Sequence, residues 1–399
     1  MLLSLAYVFL CGMVLAWVFR KLHMPSLMGM LVTGFVLGPY ALNLLDEKIL
    51  LISPDLRQLA LIIILTRAGL NLSMDDLRAV GRPAVLLCFV PALFEIAATV
   101  ALVPWLLGVS VLEAALIGSV LAAVSPAVVV PRMLQLMEKG YGTQKRIPQM
   151  IMAGASVDDV FVIVLFTAFS GIAAGQGYHA ARLLAVPSAI GLGILAGMLT
   201  GTALSWLFTH FHIRDSGKVI IILSVSSLLV ACEALFQGAI GFSGLLAVMA
   251  IGAVLQHKKQ LVSQRLSAKF SKLWVAAEVL LFVLVGAAVD LRFALSAGLP
   301  VLLLIALVVS VRFMGVMVSM LGTALTWRER LFAGIAYLPK ATVQAAIGGI
   351  PLAMGLDIGP MVLTVAVVSI LLTAPVGALL IDKLHPRLLT RDDMPSEYI

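Results

Sequence analysis

Ser125-Pro126-Ala127-Val128-Val129-Val130-Pro131 and, in the second half of the chain, Leu338-Pro339-Lys340-Ala341-Thr342 decide how this sequence folds. Each lies inside an apolar run long enough to cross about 30 Å of hydrocarbon. Proline removes a backbone donor and clashes with the preceding helical turn. In lipid, the freed carbonyls must find partners or line a cavity, so two breaks at matching depth predict a pair of crossed discontinuous helices. Two ordinary proline kinks, with Pro351 beyond the second, fit the same residues.

The matching depth comes from an internal repeat. Sliding the chain by 244 − 26 = 218 residues lays Ser26-Leu27-Met28 through Gly34-Phe35-Val36-Leu37 over Gly244-Leu245-Leu246 through Gly252-Ala253-Val254-Leu255. The apolar runs predict thirteen transmembrane helices, at 2–19, 24–40, 50–66, 83–107, 111–134, 147–171, 183–208, 218–236, 241–256, 268–290, 298–323, 329–351 and 356–381. The shift sets span 1 on 8, 2 on 9, 3 on 10, 4 on 11 and 5 on 12. Span 6 reaches 13 once a longer 5–6 loop is allowed, and span 7 is left as connector. Seven helices separate equivalent positions, an odd number, so the two six-helix repeats enter the membrane in opposite directions. Inverted repeats of this kind belong to secondary transporters, whose binding site lies where the halves meet.

Composition agrees with an all-α polytopic membrane protein. Of 399 residues, 62% are hydrophobic and 12% charged, where a soluble domain carries about 25% charge; mean hydropathy is +1.12. Cys11, Cys88 and Cys232 lie in apolar runs with no shared spacing, so they read as packing residues. Leu2 to Phe19 has no charged n-region or cleavage site and is expected to be a retained helix.

The net charge of +7 is a matter of topology. With the N-terminus outside, Lys48, Arg57, Arg182 and Arg292 fall in outer loops and Arg312 and Lys340 in spans, leaving 21 of the 27 Lys and Arg on the inner side. The positive-inside rule therefore predicts an outside N-terminus and a cytoplasmic C-terminus. No basic face with interleaved aromatics exists, so nucleic acid is not an expected partner.

Charges within spans are costly enough to be functional candidates. Span 6 reads Gly154-Ala155-Ser156-Val157-Asp158-Asp159, with both carboxylates about eleven residues from its cytoplasmic end. Burial and like charge both disfavour two ionised neighbours, so the pair is suited to hold a proton or a small cation. Carboxylate oxygens suit hard cations. Asp159 is expected to be the main ligand and Asp158 its partner, with Ser156, Ser125 and Thr342 offering hydroxyls. A pair of satisfied packing carboxylates is the plainer reading.

Glu95 in span 4 and Arg312 in span 11 are 217 residues apart, nearly the repeat offset, and can neutralise one another. A structural ion pair accounts for them as well as a transport role does. Lys340 follows the second break, where a cation offsets the negative ends of half-helices. Glu278 lies nearer the basic inner loop and receives no role, and the six histidines fall at helix ends or in loops. Gly193, Gly197 and Gly201 in span 7 allow close helix approach, within one chain or between two.

Val157-Asp158-Asp159, the Ser125–Pro131 stretch and Leu338-Pro339-Lys340-Ala341-Thr342-Val343-Gln344-Ala345-Ala346 together resemble the monovalent cation:proton antiporter superfamily, in particular its NHA-type sodium/proton exchangers. The resemblance covers essentially the whole chain. It implies the sodium/proton antiporter fold, a homodimer, an elevator-like cycle and Asp159 as ion ligand. It also implies a dimerisation domain (1–82 and 218–297), a core domain (83–171 and 298–381), a linker helix (172–217) and a short cytoplasmic tail (382–399). Electrogenic two-aspartate relatives carry a lysine where this chain has Arg312, so exchange is expected to be electroneutral.

The expected function is exchange of Na+ or Li+ for H+ across a cell's inner (plasma) membrane. The expected partners are monovalent cations, protons, membrane lipid and a second copy of the chain, and no cofactor is expected beyond the transported ions. A K+/H+ antiporter and a sodium-coupled organic-anion symporter of the same architecture are the alternatives. An intramembrane aspartyl protease would need two carboxylates face to face from different helices, whereas Asp158 and Asp159 are adjacent on one.

Overall fold

The computed structural model describes residues 1–22, 24–72, 81–173, 185–235 and 242–391, with the side chains at 156, 160, 185–187, 189–190, 234–235 and 291–297 outside the description. The expected hydroxyl of Ser156, the outer-loop cations Arg182 and Arg292, and tail residues 392–399 therefore lie outside it.

The described chain is helical throughout, with one isolated bridge between Tyr141 and Arg391. In order the helices are α1 (Leu2–Lys21), α2 (Ser26–Leu37), α3 (Glu47–Leu51), α4 (Ser53–Leu70), α5 (Arg82–Leu87), α6 (Val90–Leu107), α7 (Val111–Leu121), α8 (Pro126–Glu138) and α9 (Ile147–Ala173). There follow α10 (Ala185–His210), α11 (Asp215–Leu235), α12 (Gly244–Lys258), α13 (Gln260–Ala287), α14 (Leu291–Ser319), α15 (Trp327–Ala336), α16 (Thr342–Ile347), α17 (Ile350–Ala353) and α18 (Gly359–Leu388).

Nine helical stretches among the described residues are long and apolar enough to cross a membrane. Predicted spans 24–40 and 241–256 fall on the shorter helices α2 and α12, and 50–66 falls on α4, which carries Asp55, Arg57 and Arg67. Span 329–351 is broken into α15, α16 and the start of α17. Both expected interruptions are thus real breaks rather than kinks: α7 ends at Leu121 and α8 begins at Pro126, while α15 ends at Ala336 and α16 begins at Thr342.

Each broken helix opens with the same device. Ser110 and Glu113 form a capping box at the start of α7, and Thr326 and Glu329 form one at the start of α15. The reciprocal side-chain bonds satisfy helix-start donors that would otherwise be bare.

The repeat is visible in the packing. A Cβ on Gly286 of α13 would run into the Leu31 carbonyl of α2, and one on Gly69 of α4 into the Met249 carbonyl of α12. Leu31 and Met249 are equivalent under the 218-residue shift, as are Gly34 and Gly252, which lie at the same two crossings. Small residues there let backbones touch, which is how helices associate where lipid supplies no hydrophobic drive. Gly193, Gly197 and Gly201 likewise lie on Ser243, Ala247, Ala250, Ile251 and Val254, so the stripe serves packing of α10 on α12 within the chain.

Contacts concentrate in two groups. Helices α1, α2, α4 and α10–α13 pack on one another, and α5–α9 pack with α14–α18; α16 meets α4 and α13, and α9 meets α10 and α12, where the groups touch.

Candidate functional site

The gaps in the two broken helices cross, and each carbonyl end is capped by the other half of the chain. The Ser125 N–H donates to the Pro339 carbonyl at 2.8 Å. Leu121, which matches Pro339 under the repeat, accepts from Lys340 Nζ and from Gln344 Nε2, and Gln344 also reaches the Ala123 carbonyl at 2.8 Å. Arg312 Nη1 donates to the Ala122 carbonyl, and Arg312 Nε to the Tyr337 carbonyl at 3.2 Å. Four carbonyls freed by the breaks, at Leu121, Ala122, Ala123 and Tyr337, are thereby satisfied by three long donor side chains.

Those donors also hold the acids. Arg312 Nη2 is 2.8 Å from Asp158 Oδ2, and Arg312 Nη1 is 3.1 Å from Glu95 Oε2. Lys340 Nζ lies 2.7 Å from Glu95 Oε1 and 2.9 Å from Oε2. The Val124 N–H donates to Asp158 Oδ2 at 2.9 Å, and Thr373 Oγ1 on α18 accepts from the Lys340 N–H at 3.0 Å. The Glu95–Arg312 pair expected from the sequence forms, but it is half of a four-membered network of two acids and two bases. All four side chains are buried, so removing any one would strand a charge.

Asp159 stands beside this network and outside it. It is 8% exposed, has no hydrogen bond among the described residues, and its Oδ1 is enclosed without a partner. Ser125 Oγ is also buried and unpartnered at the start of α8, and Asp158 Oδ1 is unpartnered beside Arg312. Thr342 is buried as the first residue of α16, two positions after Lys340, and bonds to none of the four charges. Glu278 lies apart, with Arg67 and Arg20 as its charged neighbours.

Residues 5–383 match the family described as sodium/hydrogen exchanger, transmembrane. The chain belongs to that family. It is 34% identical over 388 residues to sodium/hydrogen exchanger 9B2 of Homo sapiens, covering 92% of this chain and 70% of that protein. Against sodium/hydrogen exchanger 9B1 of Homo sapiens it is 32% identical over 393 residues, covering 94% and 74%. Its fold matches that of the sodium proton antiporter MjNhaP1 from Methanocaldococcus jannaschii with a TM-score of 0.83 at 19% identity, over 97% of this chain and 99% of that one. This exchanger-family chain is thus a multi-pass membrane protein of the antiporter superfamily that its motifs resemble.

Two residues of the exchanger-family site went unassigned in the sequence. Gln344 lies in α16 and Lys340 in the break before it, yet both donate to the Leu121 carbonyl, a convergence that no helical spacing signals. Tyr337 carries no spacing signal; only the crossing geometry brings it against Arg312 and α9.

Proposed function

We propose that this chain exchanges Na+ or Li+ for H+, one for one, by alternating access. The observation that carries the reading is the isolation of Asp159 beside a network that is already neutral. Arg312 and Lys340 offset Glu95 and Asp158, so the third carboxylate alone lacks a countercharge. A buried unpaired charge is strongly disfavoured. Asp159 is therefore satisfied by one proton or by one monovalent cation, and the two compete for the same oxygens.

In this reading α5–α9 with α14–α18 form the moving core, and α1–α4 with α11–α13 form the scaffold through which two copies dimerise. The N-terminus lies outside and the C-terminus in the cytoplasm of a cell's inner membrane. No peptide-bond chemistry is assigned to the aspartates, because Asp158 is committed to Arg312 and cannot face Asp159 across a substrate.

The test uses purified protein in proteoliposomes with an imposed pH gradient. Addition of Na+ or Li+ is expected to collapse the gradient, and Asp159→Asn to leave it standing. A gradient indifferent to each monovalent cation in turn, or an Asp159→Asn variant as active as the parent, would overturn the reading.

A further inference from the structure

Tyr337 closes α15 and is 1% exposed, yet its hydroxyl has no hydrogen-bond partner. Three contacts fix the residue. Its carbonyl accepts from Arg312 Nε, its ring lies 5.6 Å from the Arg312 guanidinium carbon, and its hydroxyl is seated on Gly154 so closely that a Cβ there would collide with it. Gly154 is one turn before Asp158 on α9. The hydroxyl therefore lies on the Asp158 side of α9, with the Arg312 guanidinium of α14 beside the ring, and Asp159 and Cys88, at the end of α5, are near enough to act on it electrostatically.

Cys88 is occupied with the Ala84 carbonyl, and the Arg312 guanidinium with Asp158, Glu95 and backbone. The remaining oxygens, Asp158 Oδ1 and Asp159 Oδ1, are buried and unpartnered like the hydroxyl itself. A phenol that reaches acceptors through one water loses little compared with a direct bond, and buried polar groups with room between them are satisfied by ordered water.

We infer that Tyr337 is a further positioning residue of the exchange site: its hydroxyl holds a water that coordinates the cation bound at Asp159. This deepens the exchange reading above and rests on it. A hydroxyl suits the task because it serves both loaded states. With the cation bound, it donates toward the carboxylates and leaves its lone pairs to the water; with Asp159 protonated, it rotates to accept.

The test is Tyr337→Phe in the full chain, which keeps the ring, its packing on Arg312 and the backbone carbonyl. The apparent KM for Na+ is expected to rise about three- to tenfold, the size of one lost hydrogen bond, while the maximal rate changes less than about twofold. The concentration of Na+ that raises the melting temperature of the detergent-solubilised protein should rise in parallel. Tyr337→His, which keeps a ring donor, should recover part of the affinity and stands in if the phenylalanine variant does not fold. Wild-type KM and wild-type Na+ stabilisation in Tyr337→Phe overturn the inference while leaving the site reading intact. Wild-type protein that gains no stability from Na+ overturns the site reading itself.

Discussion

Asp159 and Asp158 are neighbours in sequence and opposites in circumstance. Asp158 is enclosed by Arg312 and the Val124 N–H, whereas Asp159 Oδ1 finds no partner among the described residues. Asp159→Asn should abolish cation-driven pH change in proteoliposomes while eluting as a folded species, because an amide neither releases a proton nor offers formal charge. Asp158→Asn should weaken Na+ affinity instead, since it unbalances the neutral network. Competition for one carboxylate also sets a sign: apparent Na+ affinity should weaken as pH falls, and an affinity constant from acid to alkaline pH would show that the ions do not share a site. Arg312→Ala leaves Glu95 and Asp158 facing one cation, and we expect about 3–5 kcal/mol of destabilisation in thermal or denaturant unfolding. Arg312→Lys should be milder but not neutral, because a point charge cannot reach two carboxylates and two carbonyls at once. The aspartate pair was legible because buried charge is rare. That Glu95 is shared with Lys340 was not, because spacing sets depth along a helix but not the side it presents to a crossing partner.

Among the elements, the two broken helices were readable from Pro126, Pro131 and Pro339, and their matching depth from the repeat. Their capping was not. Gln344 and Arg312 act through carbonyls at residues 121–123, and no local pattern links those stretches. Helix lengths were the weakest reading, since α2, α12 and the α15–α16 break fall short of full spans. The glycine crossings offer a test of the repeat as a physical object. Gly286→Ala and Gly69→Ala press equivalent backbones apart, and each should cost about 1–3 kcal/mol. Similar losses of thermal stability at both positions are expected. A loss at one and tolerance at the other would show that the two crossings, although related by sequence, are not equally tight.

For the whole molecule, the balance of charge predicts the balance of transport. If Glu95, Asp158, Arg312 and Lys340 keep their charges through the cycle, only Asp159 alternates, and one proton crosses for each monovalent cation. An imposed potassium–valinomycin potential should then leave the exchange rate unchanged, and a solid-supported membrane should record no sustained net charge transfer. A strong response to voltage would overturn the one-for-one exchange.

The reciprocal capping of the broken helices bears as well on how the chain is made. The Leu121 carbonyl is capped by Lys340, 219 residues further along. At a synthesis rate of about 5–20 residues per second, that donor emerges roughly 10–45 s after its acceptor. Through that interval the first repeat lacks the donors that cap residues 121–123 in the folded chain, and a ribosome that stalls before residue 340 is expected to leave a destabilised product. Such a nascent chain is a natural client for membrane quality control, and its survival time should lengthen when the second repeat is supplied as a separate polypeptide.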